Sequence, residues 1–322
     1  MRTFATKRKY GIGLGYLVPS YFQDPAPDPS IIPGFTNTHM KFLLCRQTWG
    51  MWNRDGEGIN NTTFLDNCFT TAEANGKGVA LQIEPGINSP DWYYNIPNVS
   101  LIYAGANSSP STVPWDNVNF QPKYQSAMTD IANRYKGHRS LRFVKIQGPG
   151  IASESFFART PTEQAQADVL AGNFGYVDKY AAWLAGVAFL IDMFASLWYP
   201  TPVQLVTGSP YGTLDGSTAL LQSAYDYGSK YIGQFAPVAH DLTSLSPHNG
   251  EISQTVITSF SPTASGTGYQ FGNEQNDLTK LTAALQKGVG YGAHEIEMFA
   301  GDADNAAFGS LLDATNAQML SV

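Results

Sequence analysis

A carboxylate stands shortly after one of the best-patterned strands in the chain. In the segment LRFVKIQGPGIASES, residues 141–155, aliphatic side chains alternate with Lys145 and Gln147, which is the period-two spacing of a strand. The glycines and proline that follow end this strand, and Glu154 comes just beyond them. Because parallel α/β folds carry their ligands and catalytic groups at the carboxyl ends of the strands, Glu154 is a candidate for proton transfer. The alternative of equal weight is that Glu154 caps the next turn or helix.

The elements that would position this carboxylate alternate along the whole chain. Strand patterning is found at residues 10–17, 41–49, 79–86, 141–147, 202–212 with its loop, 231–236, 268–271 and 293–299. Helical patterning is found at residues 64–75, 124–135, 174–198, 217–228, 277–288 and 306–319, with an irregular or helical connection at 252–260. Eight strands separated by helices predict an α/β fold, a single (β/α)₈ barrel over residues 1–322. Residues 18–38, rich in proline, are expected to form an irregular loop over a site.

Strand parity predicts which side chains point into such a barrel. If the aliphatic face of each strand packs on the helices, the opposite face is polar on most strands. The residues predicted to point inward are Arg46, Gln82, Glu84, Lys145, Gln147, Gln204, Gln234, Gln270, Glu295 and Glu297. A purely structural interior would be Val, Ile and Leu, so this polar lining favours a hydrogen-bonding ligand site. The alternative is a satisfied buried network in which Lys145 pairs with Glu295.

Composition excludes several classes of partner. The 322 residues carry a net charge of −7 with a pI near 5.2, so no basic field exists for nucleic acid or an anionic membrane surface. Aromatic residues make up 13% of the chain and accompany many amide and hydroxyl side chains, which is the chemistry of a sugar-binding surface. An uncharged carbohydrate is therefore the expected ligand.

No motif for a cofactor, a metal or export accompanies these features. The five histidines lack HExxH or HxxH spacing, the run GIGLGY does not fit a dinucleotide-binding loop, and no P-loop or GxSxG occurs. We therefore expect no cofactor. The apolar run 181–197 is interrupted by charged residues and is expected to be a buried helix, not a membrane span. The first twenty residues show no clear signal peptide, which leaves the compartment open, and Cys45 and Cys68 are expected to be free core thiols.

Several of these segments resemble the retaining (β/α)₈ glycoside hydrolases of the β-galactosidase-like clan, such as family 42. The resemblance covers roughly residues 40–155 and rests on the runs KFLLCRQTW, GKGVALQIEPGINSPDW and RYKGHRSLRFVKIQGPGIASE. That family has an Arg and a Trp at strand two, a Pro-x-Trp loop after strand three, and an acid/base Glu after strand four. The resemblance implies these roles for Arg46 and Trp49, for Pro90 and Trp92, and for Glu154.

The resemblance also implies a second carboxylate, and two residues could supply it. The family keeps its nucleophile at the end of strand seven, where Glu274 follows this chain's strand, but Glu297 is at a better-defined strand tip in HEIEMF and is the first choice. A glycosidase needs one carboxyl group that is protonated and one that is ionised, and their separation decides between retention, which the resemblance implies, and inversion. The expected substrate-binding residues are Arg46, Trp49, Trp92, Gln147, Tyr211 and Gln270, with Trp115 as a further stacking candidate. A barrel that binds glycans without cleaving them is the rival hypothesis.

Overall fold

A computed structural model describes most of the chain. The described residues are 12–18, 28–103, 110–147, 160–206, 214–231, 234–242, 250–260 and 266–321, and side chains are not described at 214–217, 236–242 and 250–254. Glu154 and Tyr211, two of the predicted site residues, therefore lie outside the described residues.

Eight parallel strands make up the main sheet. The strands of the chain are β1 (Gly13–Leu17), β2 (Phe42–Thr48), β3 (Gly78–Glu84), β4 (Leu101–Tyr103), β5 (Pro110–Thr112), β6 (Leu141–Ile146), β7 (Val203–Val206), β8 (Phe235–Leu242), β9 (Gly268–Phe271) and β10 (Glu295–Met298). Their order in the sheet is β1-β2-β3-β6-β7-β8-β9-β10, and pairing of β10 with β1 closes it into a barrel. The short strands β4 and β5 form a separate antiparallel pair. The predicted α/β class is confirmed.

Helices follow most of the barrel strands in the chain. The helices are α1 (Trp49–Trp52), α2 (Thr63–Ala74), α3 (Asp91–Tyr94), α4 (Phe120–Tyr135), α5 (Pro161–Asn173), α6 (Lys179–Trp198), α7 (Leu214–Gly228), α8 (Gly250–Phe260), α9 (Leu278–Gly290), α10 (Ala300–Ala303) and α11 (Gly309–Ser321). By length and composition α6 alone among the described helices could span a membrane. Its buried residues, which include Trp183 and Ile191, pack inside the protein against β6 and β7, as a helix of the outer layer does.

Alternation along the strands separates two apolar clusters. Leu43 and Cys45 on β2 face the helices and belong to the large cluster between sheet and helices. Their neighbours Phe42 and Leu44 face inward, and with Leu17, Ala80 and Phe143 they form a small cluster inside the barrel. The alternation predicted from the sequence for β2 is therefore confirmed.

One of the ten residues predicted to point inward does not. Gln234 precedes β8, and its amide donates to the carbonyl oxygens of Ala195 and Thr201, each at 3.1 Å, around the end of α6 and the start of β7. The sequence analysis placed this strand at 231–236, whereas β8 begins at Phe235. The inward parity inferred for Gln234 was therefore wrong, because Gln234 lies in the turn ahead of the strand.

The long loop between β1 and β2 is irregular, as predicted, wherever it is described. Residues 28–40 contain two short 3₁₀ turns, Pro29–Ile31 and Pro33–Phe35, and the first of them contacts α2. The side chain of Asn37 donates to the Ala303 carbonyl oxygen, and His39 pairs with Asp313. This described part is thus held against the C-terminal helices, and residues 19–27 lie outside the described residues.

The two thiols are free and buried, which confirms the prediction. Cys45 on β2 and Cys68 on α2 contact each other between the sheet and the helix layer. Burial, together with the contact to Cys45, raises the pKa of the Cys68 thiol well above its ordinary value. These cysteines therefore stabilise the core and lie away from the barrel interior.

Candidate active site

Four polar side chains form one buried cluster inside the barrel, here named the interior cluster: Lys145 on β6, Gln204 on β7, and Glu295 and Glu297 on β10. The Lys145 ammonium lies 2.6 Å from Glu297 Oε2 and 4.0 Å from Glu295 Oε1. The Gln204 amide donates to Glu295 Oε1 at 2.8 Å. All four side chains are 0% exposed, so these contacts replace hydration.

Strand register and one glycine, Gly268, make space for this cluster. Lys145 lies opposite Gln204 in the β6–β7 pair, and Glu297 lies between Gly15 of β1 and Gln270 of β9. Glu295 lies beside Gly268 of β9, where an added Cβ atom would be 2.0 Å from Glu295 Oε1. A side chain at position 268 would therefore occupy the place of the carboxyl group.

Burial changes the acidity of Glu295. The pKa of Glu295 is raised from 4.5 to about 8, mainly by loss of hydration and next by the negative charge of Glu297, while Lys145 and the Gln204 hydrogen bond oppose the rise. Glu295 is therefore protonated at neutral pH, while Glu297 is held in an ion pair by Lys145. The cluster thus holds one carboxyl group with a raised pKa beside one that is paired with an ammonium, and acid/base catalysis uses differences of this kind between carboxyl groups.

A second polar group occupies the C-terminal ends of β2, β3 and β6. Gln82 donates to Glu84 Oε1 at 2.5 Å, and the side chain of Asn88 donates to Glu84 Oε2 at 3.3 Å. Arg46, a predicted binding residue, lies opposite Gln82 and is partly exposed. Gln147, also predicted to bind substrate, is fully buried, and neither polar atom of its side chain has a hydrogen-bond partner within the described part of the chain. Arg46 is therefore placed to meet a ligand at this end of the barrel, and Gln147 beside it has polar atoms that no described residue satisfies.

Glu274 lies at the same edge, beyond the end of β9, and is half-buried. Its Oε1 atom accepts a hydrogen bond of 2.8 Å from the backbone N–H of Gly301, in the first turn of α10. In the opposite direction, the Asp302 carboxylate of α10 accepts hydrogen bonds from the backbone N–H groups of Gln275 and Asn276, which follow Glu274. Glu274 is thus held in place and still partly open to solvent, unlike Glu297.

Trp49 does not occupy the position that a sugar-stacking residue needs. Its ring is fully buried among Trp92, Tyr93, Phe120 and Tyr124, with ring centroids 5.3 to 6.1 Å away, and its indole N–H donates to Asn53. Trp115 is also fully buried. Stacking on a sugar requires an exposed ring face, so these two expectations are corrected.

Trp92 keeps an open side. It is partly exposed, its indole N–H donates to the Asn53 carbonyl oxygen at 2.8 Å, and the Lys123 ammonium lies 5.8 Å from its ring. Of the predicted residues, the structure therefore places Glu297 and Gln270 side by side inside the barrel, and Arg46 and Gln147 toward one end of it. The sequence analysis had Lys145, Gln204 and Glu295 as inward residues and considered a Lys145–Glu295 pair, but it did not pair Lys145 with Glu297 or Gln204 with Glu295.

Comparison with known proteins reveals likeness of fold only. No protein-family model and no curated protein matches the sequence. Among solved structures, the catalytic domain of a beta-amylase from Paenibacillus polymyxa aligns over 95% of this chain and 99% of its own, with a TM-score of 0.63 and 10% identity. A catalytic mutant of a GH42 beta-galactosidase from G. stearothermophilus aligns over 99% of this chain, with a TM-score of 0.55 and 13% identity. A beta-galactosidase from the psychrophilic Marinomonas ef1 aligns over 80% of it, at 12% identity and a TM-score of 0.39.

The chain spans only 58% and 40% of the two galactosidase chains, whereas it spans nearly the whole amylase domain. The resemblance drawn from the sequence is borne out as a distant structural one: the chain has a fold similar to that of (β/α)₈ glycoside hydrolases.

Proposed function

We propose that the chain is a glycoside hydrolase, a single (β/α)₈ barrel that cleaves an oligo- or polysaccharide with two carboxyl groups. The observation that carries the proposal is a closed parallel barrel, similar in fold to a beta-amylase catalytic domain, with carboxyl and amide side chains inside and at its C-terminal edge. Fold alone does not fix a function, so the proposal depends on those side chains.

Glu154 is the proposed general acid. It follows β6, the fourth strand of the barrel, where the resembling family has its acid/base residue, and its sequence position puts it beyond the C-terminal end of that strand. A general acid there would protonate the leaving oxygen, while a second carboxylate attacks the anomeric carbon or activates water. We propose the retaining course, which corresponds to carboxyl groups about 5 to 5.5 Å apart.

Exposure favours Glu274 over Glu297 as the second carboxylate. A nucleophile must approach the sugar, and Glu274 is partly exposed at the strand edge while Glu297 is fully enclosed and paired with Lys145. Glu297 stays the alternative, and a ligand that reached it would have to enter the barrel. The proposed binding residues are Arg46, Trp92, Gln147, Gln270 and Tyr211. Trp49 is no longer proposed as a sugar-stacking residue, because no face of its ring is exposed.

The test is turnover of a panel of alkyl and nitrophenyl glycosides by wild type, Glu154→Gln, Glu274→Gln and Glu297→Gln. We expect Glu154→Gln to slow alkyl glycosides by about 10² to 10⁴-fold and nitrophenyl glycosides far less, because only poor leaving groups need the proton. Glu274→Gln should slow both kinds alike. Glu57→Gln, on the surface and paired with Lys123, is the matched control and should keep full activity.

Two outcomes would contradict these assignments. Uniform loss in a folded Glu297→Gln with an active Glu274→Gln would move the second carboxylate to β10. Glycans that bind with no turnover of any substrate would make the chain a binding protein and overturn the proposed hydrolase.

A further inference from the structure

The interior cluster leaves two carboxyl oxygens without a donor. Glu295 Oε1 accepts from Gln204 and Glu297 Oε2 accepts from Lys145. Glu295 Oε2 and Glu297 Oε1 are buried, and with both groups ionised neither oxygen has a hydrogen-bond partner among the described residues. Because an unpaired buried oxygen loses its hydration without compensation, this arrangement requires an explanation.

The two oxygens can satisfy each other if one of them carries a proton. The carboxyl groups of Glu295 and Glu297 lie within hydrogen-bonding reach. With a proton on Glu295 Oε2, that oxygen donates to Glu297 Oε1, and each of the four carboxyl oxygens then has a partner. The proton belongs on Glu295, because Glu297 is the group that makes the close contact with the Lys145 ammonium.

Charge balance leads to the same arrangement. Two carboxylates and one ammonium would leave one negative charge in a group that is 0% exposed, and burying such a charge is costly. One proton makes the cluster neutral. Among the strands with described side chains, the other charged groups that line the interior are Arg46 on β2 and Glu84 on β3, which carry opposite charges. The residues of β1 and β9 beside the pair are glycines and Gln270, and β7 contributes Gln204, so none of these neighbours is charged.

We propose that Glu295 and Glu297 share one proton, with Glu295 as the protonated residue that positions the Glu297 carboxylate against Lys145. The shared proton makes the barrel a pH-sensitive element, because its removal would place a net negative charge inside the barrel. It also occupies both oxygens of Glu297, so that Glu297 acts as a member of this network. The inference does not depend on the proposed hydrolase activity, because its readouts are unfolding and infrared absorption.

The sign of the pH effect follows from the rise in the pKa of Glu295. The folded protein keeps this proton up to about pH 8, whereas the unfolded chain loses it near 4.5. Between these values the folded state binds one more proton, so raising the pH favours unfolding, by up to about tenfold in the unfolding constant per pH unit. Stability from this group is therefore fully present below the ordinary Glu value and is lost as the pH rises toward 8.

The experiment compares denaturant unfolding of wild type and Glu295→Gln from pH 5 to 9. The amide keeps the shape of the protonated acid and donates to Glu297 at every pH. We expect the ratio of unfolding constants, wild type to variant, to rise by up to about tenfold per pH unit and to level off above about pH 8. This difference separates the pair from groups that titrate alike in both proteins. A ratio that stays flat with pH would overturn the proposal.

Infrared spectroscopy gives a readout that needs no variant. Wild type at neutral pH should show the C=O stretch of a buried protonated carboxylic acid, and the band should disappear near pH 8. Glu295→Gln should lack this band, while the surface variant Glu57→Gln should keep it. If Glu295→Gln does not fold, the titration of the wild-type band decides alone, and its absence at neutral pH would contradict the shared proton.

Discussion

Apart from Arg46, Gln82 and Glu84 at the C-terminal ends of β2 and β3, the interior of the barrel is apolar on one side and polar on the other. Strands β1, β2, β3 and β6 contribute the cluster Leu17, Phe42, Leu44, Ala80 and Phe143. Strands β6, β7, β9 and β10 contribute the interior cluster and Gln270. Both sides are buried to the same degree, yet they are stabilised in different ways.

The difference concerns how far each residue depends on its neighbours. An apolar side chain gains free energy in proportion to the area it buries, roughly 25 cal/mol per Å², whichever apolar neighbours cover it. A buried ion pair or carboxyl group is stable only while every partner is present, because the remaining group keeps an uncompensated charge. The polar side of the barrel should therefore be the more sensitive side to single substitutions, and its sensitivity should depend on pH.

The largest effect is expected for Lys145→Met. Removing the ammonium leaves Glu297 buried and ionised beside a second carboxyl group, which should lower the free energy of unfolding at neutral pH by about 3 to 5 kcal/mol. Denaturant unfolding measures this loss.

A surface ion pair with nearly the same distance is the control for this substitution. Lys123 lies 2.8 Å from Glu57, but the two side chains are 24% and 55% exposed. Lys123→Met should cost about 0.2 to 1 kcal/mol. If Lys145→Met cost no more than Lys123→Met, burial would not be the cause of the sensitivity that we assign to the interior pair.

On the apolar side, Leu44→Ala is expected to cost about 2 to 5 kcal/mol, because it leaves a cavity beside Phe42 and Phe143. The loss should be the same from pH 5 to 9, since no charged group is uncovered. The neighbouring Leu43, equally buried but facing the helices, provides Leu43→Ala as a matched variant. A pH-dependent loss in Leu44→Ala would mean that the two sides of the interior are not independent.

Much of this contrast could be predicted from the sequence, because strand parity is a local property. Alternation correctly put Leu44 and Lys145 inside and Leu43 and Cys45 outside. It failed where the strand boundary was wrong, at Gln234. Helix α5 was missed although Thr160 and Glu163 form a capping box at its start, and the three-residue strands β4 and β5 are too short to show a period.

The pairing inside the barrel could not be read from the sequence. Both Glu295 and Glu297 face inward by parity, and the sequence analysis considered Lys145 with Glu295, whereas the ammonium lies closer to Glu297. The stagger of the eight strands decides whether Glu295 or Glu297 of β10 lies at the same height in the barrel as Lys145 of β6. This stagger depends on the whole sheet and cannot be read from one strand. Burial of Trp49 likewise depends on α3 and α4, which pack over it from distant parts of the chain.

Among the substitutions inside the barrel, the smallest effect, and the most specific one, is expected for Gly268→Ala. The added methyl group would lie 2.0 Å from Glu295 Oε1 and must displace the carboxyl group that Gln204 and Glu297 hold, which we expect to cost about 1 to 3 kcal/mol. The backbone of Gly268 needs no left-handed conformation, so the clash alone should account for the loss. In a Glu295→Ala background the carboxyl group is gone, and the same Gly268→Ala change should then cost little. A double-mutant cycle measured by denaturant unfolding gives this coupling directly, and equal losses in both backgrounds would show that Gly268 is needed for some reason other than making room for Glu295.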